Sequence, residues 1–167
     1  ARKVPGKGIT ILEIDGPGSD VLPMDASKNS VAIAAQAVLD KCEAEFGLEM
    51  KIHKGIRPGS GIGSSGASAA GGAYVANIIC GDALSKTQTV LCAAHAADVT
   101  SGGLHADNVA PCILGGFTII RSYEPFEVIS IPVNEDLGVV LALPDVVVLT
   151  ADSRKVLPHE VRLKDMV

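Results

Sequence analysis

An α+β fold, built as one unit, follows from three features of the sequence. An apolar stripe at helical spacing covers 27–46, and two further helical segments follow it. A short alternating strand lies between the first two. The strand candidates of the second half succeed one another without helices between them. No internal repeat or low-complexity linker divides the 167 residues, a length usual for one domain.

The elements are justified in order. Ile9 to Ile14 is β-rich and is stopped by the turn residues Asp15-Gly16-Pro17-Gly18. Ser27 to Phe46 is expected to be a helix, with Ser27 as N-cap and Val31, Ala34, Ala35, Val38, Cys42 and Phe46 on one stripe. Gly47 is expected to end it as a C′ residue. Leu48, Met50 and Ile52 alternate with Glu49, Lys51 and His53, the pattern of a half-buried strand. A glycine-rich loop, Gly55 to Gly63, leads into a small-residue helix from Ser64 to Cys80. Ser85-Lys86-Thr87-Gln88 forms a capping box that opens a helix to about Val99. Gly115 to Arg121, Phe126 to Pro132 and Gly138 to Leu143 are strand candidates, and a last short helix near Ala151 carries Arg154.

Composition excludes several classes. Fourteen Lys and Arg against nineteen Asp and Glu give a net charge of −5, without the basic face a nucleic-acid binder needs. Only five aromatic residues are present, so base-stacking platforms are not expected and the core must be built from Val, Ile, Leu and Ala. With 47% apolar residues and a mean hydropathy of +0.35, a buried core is expected rather than disorder. Apolar runs are too short for a membrane span, and no apolar run follows the basic N-terminus as a signal peptide requires. Cys42, Cys80, Cys92 and Cys112 form no C-x-x-C pair and sit in apolar surroundings, which reads as buried free thiols in a reducing cytoplasm. The chain opens without Met and closes on Asp165-Met166-Val167, which reads as part of a longer polypeptide.

The strongest local signal is Pro58-Gly59-Ser60-Gly61-Ile62-Gly63-Ser64-Ser65-Gly66. Its glycines allow positive φ and close backbone approach, and the helix that follows offers free N–H groups and the positive end of a dipole. One reading is a phosphate cradle with Ser64 and Ser65 adding hydroxyls; the other is a tight turn before a close-packed helix. Gly61, Gly63 and Gly66 match the dinucleotide fingerprint in spacing, but the second strand that the fingerprint requires does not follow. The P-loop pattern is not met either, because no Lys follows the last glycine. A nucleotide triphosphate held by backbone and serines remains.

A second signal is His105-Ala106-Asp107-Asn108-Val109-Ala110-Pro111, framed by Gly102-Gly103 and Gly115-Gly116. It reads as the lip of a site or as the cap of a short helix. Arg154 is a candidate carboxylate clamp. His53, His95 and His159 read as structural or solvated.

Taken together, Pro58 through Ala70 and His105 through Gly116 resemble the GHMP kinase superfamily, most closely its homoserine kinase branch. Gly61 to Gly66 is similar to the superfamily's phosphate motif, His105 to Pro111 with Gly115-Gly116 to a segment of that branch, and Thr150-Ala151-Asp152-Ser153-Arg154 with Leu157-Pro158 to a third. The resemblance covers about 9–167 and implies a two-layer GHMP kinase N-terminal domain over 1–167, a sheet with helices on one face. It implies ATP-dependent phosphorylation of the side-chain hydroxyl of L-homoserine in threonine biosynthesis, with ATP and Mg²⁺. By the same comparison Asn29 belongs to the adenine pocket, and Pro58, Gly59, Ser60, Gly61, Ile62, Gly63, Ser64 and Ser65 to the phosphate cradle, with Ser65 near Mg²⁺. His105, Asp107 and Asn108 match the homoserine site, Arg154 a residue that grips the substrate carboxylate, and Thr150 one near the phosphoryl path. Asn108, an amide, is expected to position the hydroxyl rather than take its proton. A homodimer is the family expectation.

Three departures from the family pattern stand out. The family's N-terminal substrate segment and its C-terminal ferredoxin-like domain are absent, so this piece is not expected to catalyse by itself. A Glu that helps hold Mg²⁺ is replaced by Ala97, with Asp98 beside it as the substitute ligand. A kinase for another small alcohol, of mevalonate type, and a non-catalytic nucleotide-binding module are the alternatives.

Overall fold

The structure is a computed structural model that describes residues 1–101, 104–142, 158 and 160–166, with side chains of 97–101 left aside. Its elements run β1 (Arg2–Asp15), α1 (Ser30–Lys41), β2 (Phe46–His53), α2 (Ser64–Ile79), α3 (Lys86–Ser101), α4 (Val109–Leu114), β3 (Phe117–Tyr123) and β4 (Phe126–Ile131), with short 3-10 turns at Ser19–Val21, Ala26–Lys28 and Leu163–Asp165. The class is α+β. β1 and β2 pair in parallel, with α1 as the crossover that parallel strands require. β3 and β4 form a separate antiparallel hairpin.

Between the two strand pairs lies a helical core. Ala34, Ala35 and Val38 of α1, Ala69, Ala73 and Ala76 of α2, and Val90, Ala93, Ala94 and Ala96 of α3 are buried together with Leu48 and Met50 of β2. Small side chains let the helices approach closely. At Gly72 the approach is extreme: a Cβ there would lie 2.2 Å from the Val31 carbonyl oxygen, so no side chain fits.

Several expectations are corrected. β1 begins at Arg2 rather than Ile9; its register shifts repeatedly over the first residues, where Gly6 and Gly8 have positive φ. Ser27 does not cap α1. It lies in a 3-10 turn whose own cap is Asp25, which accepts from the Ser27 amide and hydroxyl. Asn29 caps α1 instead, its Oδ1 accepting from the Val31 N–H at 3.0 Å while its Nδ2 donates to the Pro23 carbonyl at 2.9 Å. The helix stops at Lys41, and Glu43 turns the chain at φ 51, so Phe46 and Gly47 belong to β2. Gly47 serves close strand approach, since a Cβ there would lie 2.5 Å from the Gly8 oxygen.

The capping box forms as expected, with the Ser85 N–H on Gln88 Oε1 and the Gln88 N–H on Ser85 Oγ. Residues 138–142 form no strand: Val139 and Val140 are 77% and 96% exposed, and no neighbouring strand among the described residues supplies ladder partners. The expected helix near Ala151 lies outside the described residues. Cys92 is buried, Cys42 and Cys80 are half-buried, and Cys112 is exposed, against the expectation for it. All four are free thiols. Burial is the main reason that Cys80 is pushed up to about 11 and that Cys92 and Cys112 are also raised. No helix among the described residues is long and apolar enough to cross a membrane.

Candidate active site

Parallel pairing brings the ends of β1 and β2 together, and both chains turn from there into loops. The Lys54 N–H donates to the Asp15 carbonyl at 2.9 Å, and Gly16, at φ 91, leaves no room for a Cβ beside Lys54. Beyond this junction runs the loop 55–63, with Gly59, Gly61 and Gly63 at φ 75, 76 and 81. Those left-handed positions are open to glycine at little cost, and left-handed turns of this kind are the ones that form anion-binding concavities from successive backbone N–H groups. The loop ends at the start of α2, where Gly63 supplies no side-chain cap. The first-turn N–H groups of a sixteen-residue helix are thereby left to a ligand or solvent.

The two serines at this helix start diverge. Ser64 is buried and its hydroxyl donates to the Ile56 carbonyl at 2.8 Å, which closes the loop on itself. Ser65 is exposed at the mouth of the cavity. Ser60 Oγ is buried among the loop atoms with no hydrogen-bond partner. An unsatisfied buried hydroxyl is costly, and a bound group that engages it would remove the cost.

Beneath the loop sits Lys54, which sequence reading did not select. It is 7% exposed; its Nζ donates to the Ser64 carbonyl at 3.2 Å and to the Ser68 hydroxyl. Burial holds its ammonium below the ordinary lysine range. The cation comes from before the glycine loop rather than after the last glycine, where a P-loop would carry it.

The opposite wall is the segment 104–108 between α3 and α4. His105 Nε2 is buried without a partner, and Asn108 Nδ2 donates to Asp107 Oδ2 at 3.3 Å. Asn108 stands at the N-cap position of α4, yet its side chain makes no cap bond. Its amide is instead lodged against the glycine loop. A Cβ on Gly63 would lie 2.9 Å from Asn108 Oδ1, and one on Gly66 would lie 2.7 Å from Asn108 Cβ. These glycines therefore make the notch that lets the second wall meet the first.

Together the two walls enclose a cavity of about 290 Å³. Pro58, Gly59, Ser60, Gly61, Gly63, Ser64, Ser65, His105, Asp107 and Asn108 line it, joined by Lys54, Ser30 and Ser68. Ile62 belongs to the loop but not to this lining. Asn29 lies in an adjoining cavity of about 180 Å³ that shares Lys54 and Ser65. Asp98 falls on α3, and its side chain is outside what is described. Thr150 and Arg154 lie outside the described residues, as does His159. His53 is exposed and pairs with Asp15 at 2.6 Å, away from the cavity, and His95 lines a separate groove. Among the described residues no cluster of His, Cys, Asp and Glu suits a metal ion by itself.

Chemically, one wall offers backbone amides, a helix N-terminus, an ammonium and a hydroxyl, a set made for a polyanion. The other offers a carboxylate, an imidazole and an amide, a set that orients a small polar molecule. The N-terminal domain of the GHMP kinases matches residues 29–116. A homoserine kinase of Methanococcus maripaludis is 44% identical over 160 residues, covering 96% of this chain and 52% of the relative. One from Thermococcus gammatolerans is 44% identical over 156 residues, covering 93% of this chain and 51% of the relative. The crystal structure of homoserine kinase from Cytophaga hutchinsonii superposes with a TM-score of 0.86 at 35% identity, covering 99% of this chain and 52% of that one. The chain thus spans about half the length of these relatives. With the motif, the fold and the cavity in agreement, the chain belongs to the GHMP kinase family.

Proposed function

We propose that the polypeptide to which this chain belongs is a homoserine kinase, a phosphotransferase that moves the γ-phosphoryl group of ATP to the side-chain hydroxyl of L-homoserine in threonine biosynthesis. The observation that carries this reading is the single cavity in which the glycine loop and α2 start face His105, Asp107 and Asn108. Relatives named homoserine kinase at 44% identity support it.

Phosphoryl transfer needs alignment of attacking and leaving oxygens and neutralisation of spread negative charge, more than covalent help. The loop amides of 59–65, the α2 N-terminus and the Lys54 ammonium answer the charge. Asn29 borders the adjoining space for the base; both ends of its amide are engaged in its own cap, so it contributes shape rather than free donors. Asp107 supplies a counter-charge for the substrate ammonium, an argument against an alcohol that carries no ammonium, such as mevalonate. Asn108 orients the hydroxyl, and its proton leaves to phosphate or water, since a neutral amide does not accept it. By the family resemblance, Arg154 is assigned to the substrate carboxylate and Thr150 to the phosphoryl path; both lie outside the described residues. Mg²⁺ fits the donors present: the exposed Ser65 hydroxyl lies in the cavity, and phosphate oxygens and water supply most of its usual shell. Ser65 and Asp98 would hold it, and it would supply neutralisation of the phosphate charge. The domain assignment 1–167, a cytoplasmic setting for the free thiols, and a homodimer complete the reading.

The test is ADP release by the intact polypeptide with Mg-ATP and L-homoserine, with mevalonate and L-threonine as controls. Homoserine-dependent release is expected. Release with mevalonate alone, or tight ATP binding with turnover of neither alcohol, overturns the assignment.

A further inference from the structure

The segment 105–108 is short, has no helical or strand ladder of its own before α4, and must nevertheless hold three side chains toward one small molecule. What holds it comes from outside the cavity. His105 and Asp107 line the cavity, while Ala106 between them is completely buried on the other side. The peptide groups of Ala106 are tied at both ends. Its carbonyl accepts from the N–H groups of Val109 and Ala110 at 3.1 and 2.8 Å, which opens α4. Its own N–H donates to the phenol oxygen of Tyr123 at 3.1 Å.

Tyr123 ends β3, and its ring leans on Phe126 of β4 with centroids 5.9 Å apart. Phe126 in turn packs on the main core. The same hairpin grips the far end of α4: Ser130 Oγ donates to the Gly115 carbonyl at 3.3 Å, and a Cβ on Gly116 would lie 2.8 Å from the Ile131 oxygen. The β3–β4 hairpin therefore clasps the segment carrying the second wall both before and after α4.

We propose that Tyr123 is a positioning residue for the amino-acid subsite: its phenol oxygen fixes the Ala106 amide, and through it the directions of His105, Asp107 and Asn108. This rests on the homoserine reading above. Tyr123 itself does not line the cavity, so it acts through the segment alone. The phosphate wall has separate supports in Lys54, Ser64 and α2, and does not depend on this tie.

Tyr123→Phe removes the acceptor and keeps the ring, so the Phe126 contact and the fold survive. Ser122→Ala is the control: it deletes another hairpin hydrogen bond, the one Ser122 Oγ accepts from the Glu124 N–H at 3.2 Å, without touching the segment. Both variants are made in the intact polypeptide. Steady-state constants for each substrate are measured together with amide hydrogen exchange over residues 104–108. Tyr123→Phe is expected to raise the homoserine KM about three- to tenfold, the range for one lost hydrogen bond, with the ATP KM within about twofold and faster exchange in the segment. Ser122→Ala is expected to change none of these. The inference is overturned if either the homoserine KM or the exchange stays at the wild-type value in Tyr123→Phe, if both KM values rise alike, or if Ser122→Ala reproduces the pattern. Should the wild-type polypeptide not turn over homoserine, the functional reading fails separately, and exchange alone decides whether Tyr123 orders the segment.

Discussion

The two walls of the cavity are made of different material. The glycine-loop side is mostly backbone, three left-handed glycines and an uncapped helix start, with one buried lysine beneath. The side formed by 104–108 is side chains on a short segment held by the hairpin. A polyanion is met by many amides that any sequence owns once glycine shapes the path. A small molecule with several distinct groups needs chosen functional groups at chosen places. The difference teaches that damage to the first wall should come through shape, and damage to the second through chemistry.

The largest effect is expected where the walls touch. Gly63→Ala meets a φ of 81, worth about 1–2 kcal/mol of strain, and pushes a methyl group against Asn108 Oδ1. Catalytic efficiency of the intact polypeptide should fall by about two orders of magnitude, with the KM values of both substrates raised. Retention of either KM would show that the walls are not joined at this point.

Asn108→Ala should be next, and should act on one wall only. Turnover with homoserine is expected to drop by roughly ten- to a hundredfold through misplacement of the hydroxyl. ATP binding measured by calorimetry should be nearly unchanged. Wild-type turnover in this variant would remove the positioning role.

Lys54→Met keeps the length of the side chain and removes the charge. ATP affinity is expected to fall by about tenfold, the scale of one charge-assisted contact, while the homoserine KM holds. The lysine also makes a pH prediction. Its folded pKa lies below its unfolded value near 10.4, so in the window between them the unfolded chain binds more protons. Stability therefore gains with rising pH through that window, while ATP affinity is lost as the ammonium deprotonates. Thermal unfolding and ATP titration at matched pH should show these opposite trends in the wild type and neither in Lys54→Met.

Asn29→Ala is expected to have the smallest effect on chemistry. Loss of the α1 cap should lower stability by about 1 kcal/mol, read from denaturant unfolding, with the ATP KM little altered. A large rise in that KM with unchanged stability would make Asn29 a base contact instead of a cap.

Legibility in the sequence follows the same division. The glycine loop, the helix after it and the Ser85 capping box all use local rules, and each stands where the residues place it. The polar segment 105–108 was visible because three polar or cap-forming residues in four positions between glycines rarely occur without reason. Lys54 was not visible, since nothing in a Lys-Gly pair after a strand says that the ammonium will be buried. The fit of Gly63 and Gly66 around Asn108 joins residues more than forty positions apart, so no local pattern carries it. At Ser27-Lys28-Asn29-Ser30 several residues could cap; Asn29 does so because Asp25 already engages Ser27 in the preceding turn while the Pro23 carbonyl holds the other end of the Asn29 amide. Ser60 and His105, by contrast, stood out in the sequence and in the fold alike, as polar groups without partners beside one another's wall.

The absence of a side chain at Gly72 has a mechanical consequence. With the Val31 carbonyl seated against the α2 backbone, neither helix can slide or roll past the other without a collision of main chains. The first turn of α1 and the helix that follows the glycine loop are therefore locked together at this crossing. Any movement that accompanies ligand binding at the cavity is then expected to fall outside the α1–α2 crossing, on the loop 55–63 or the segment 104–108.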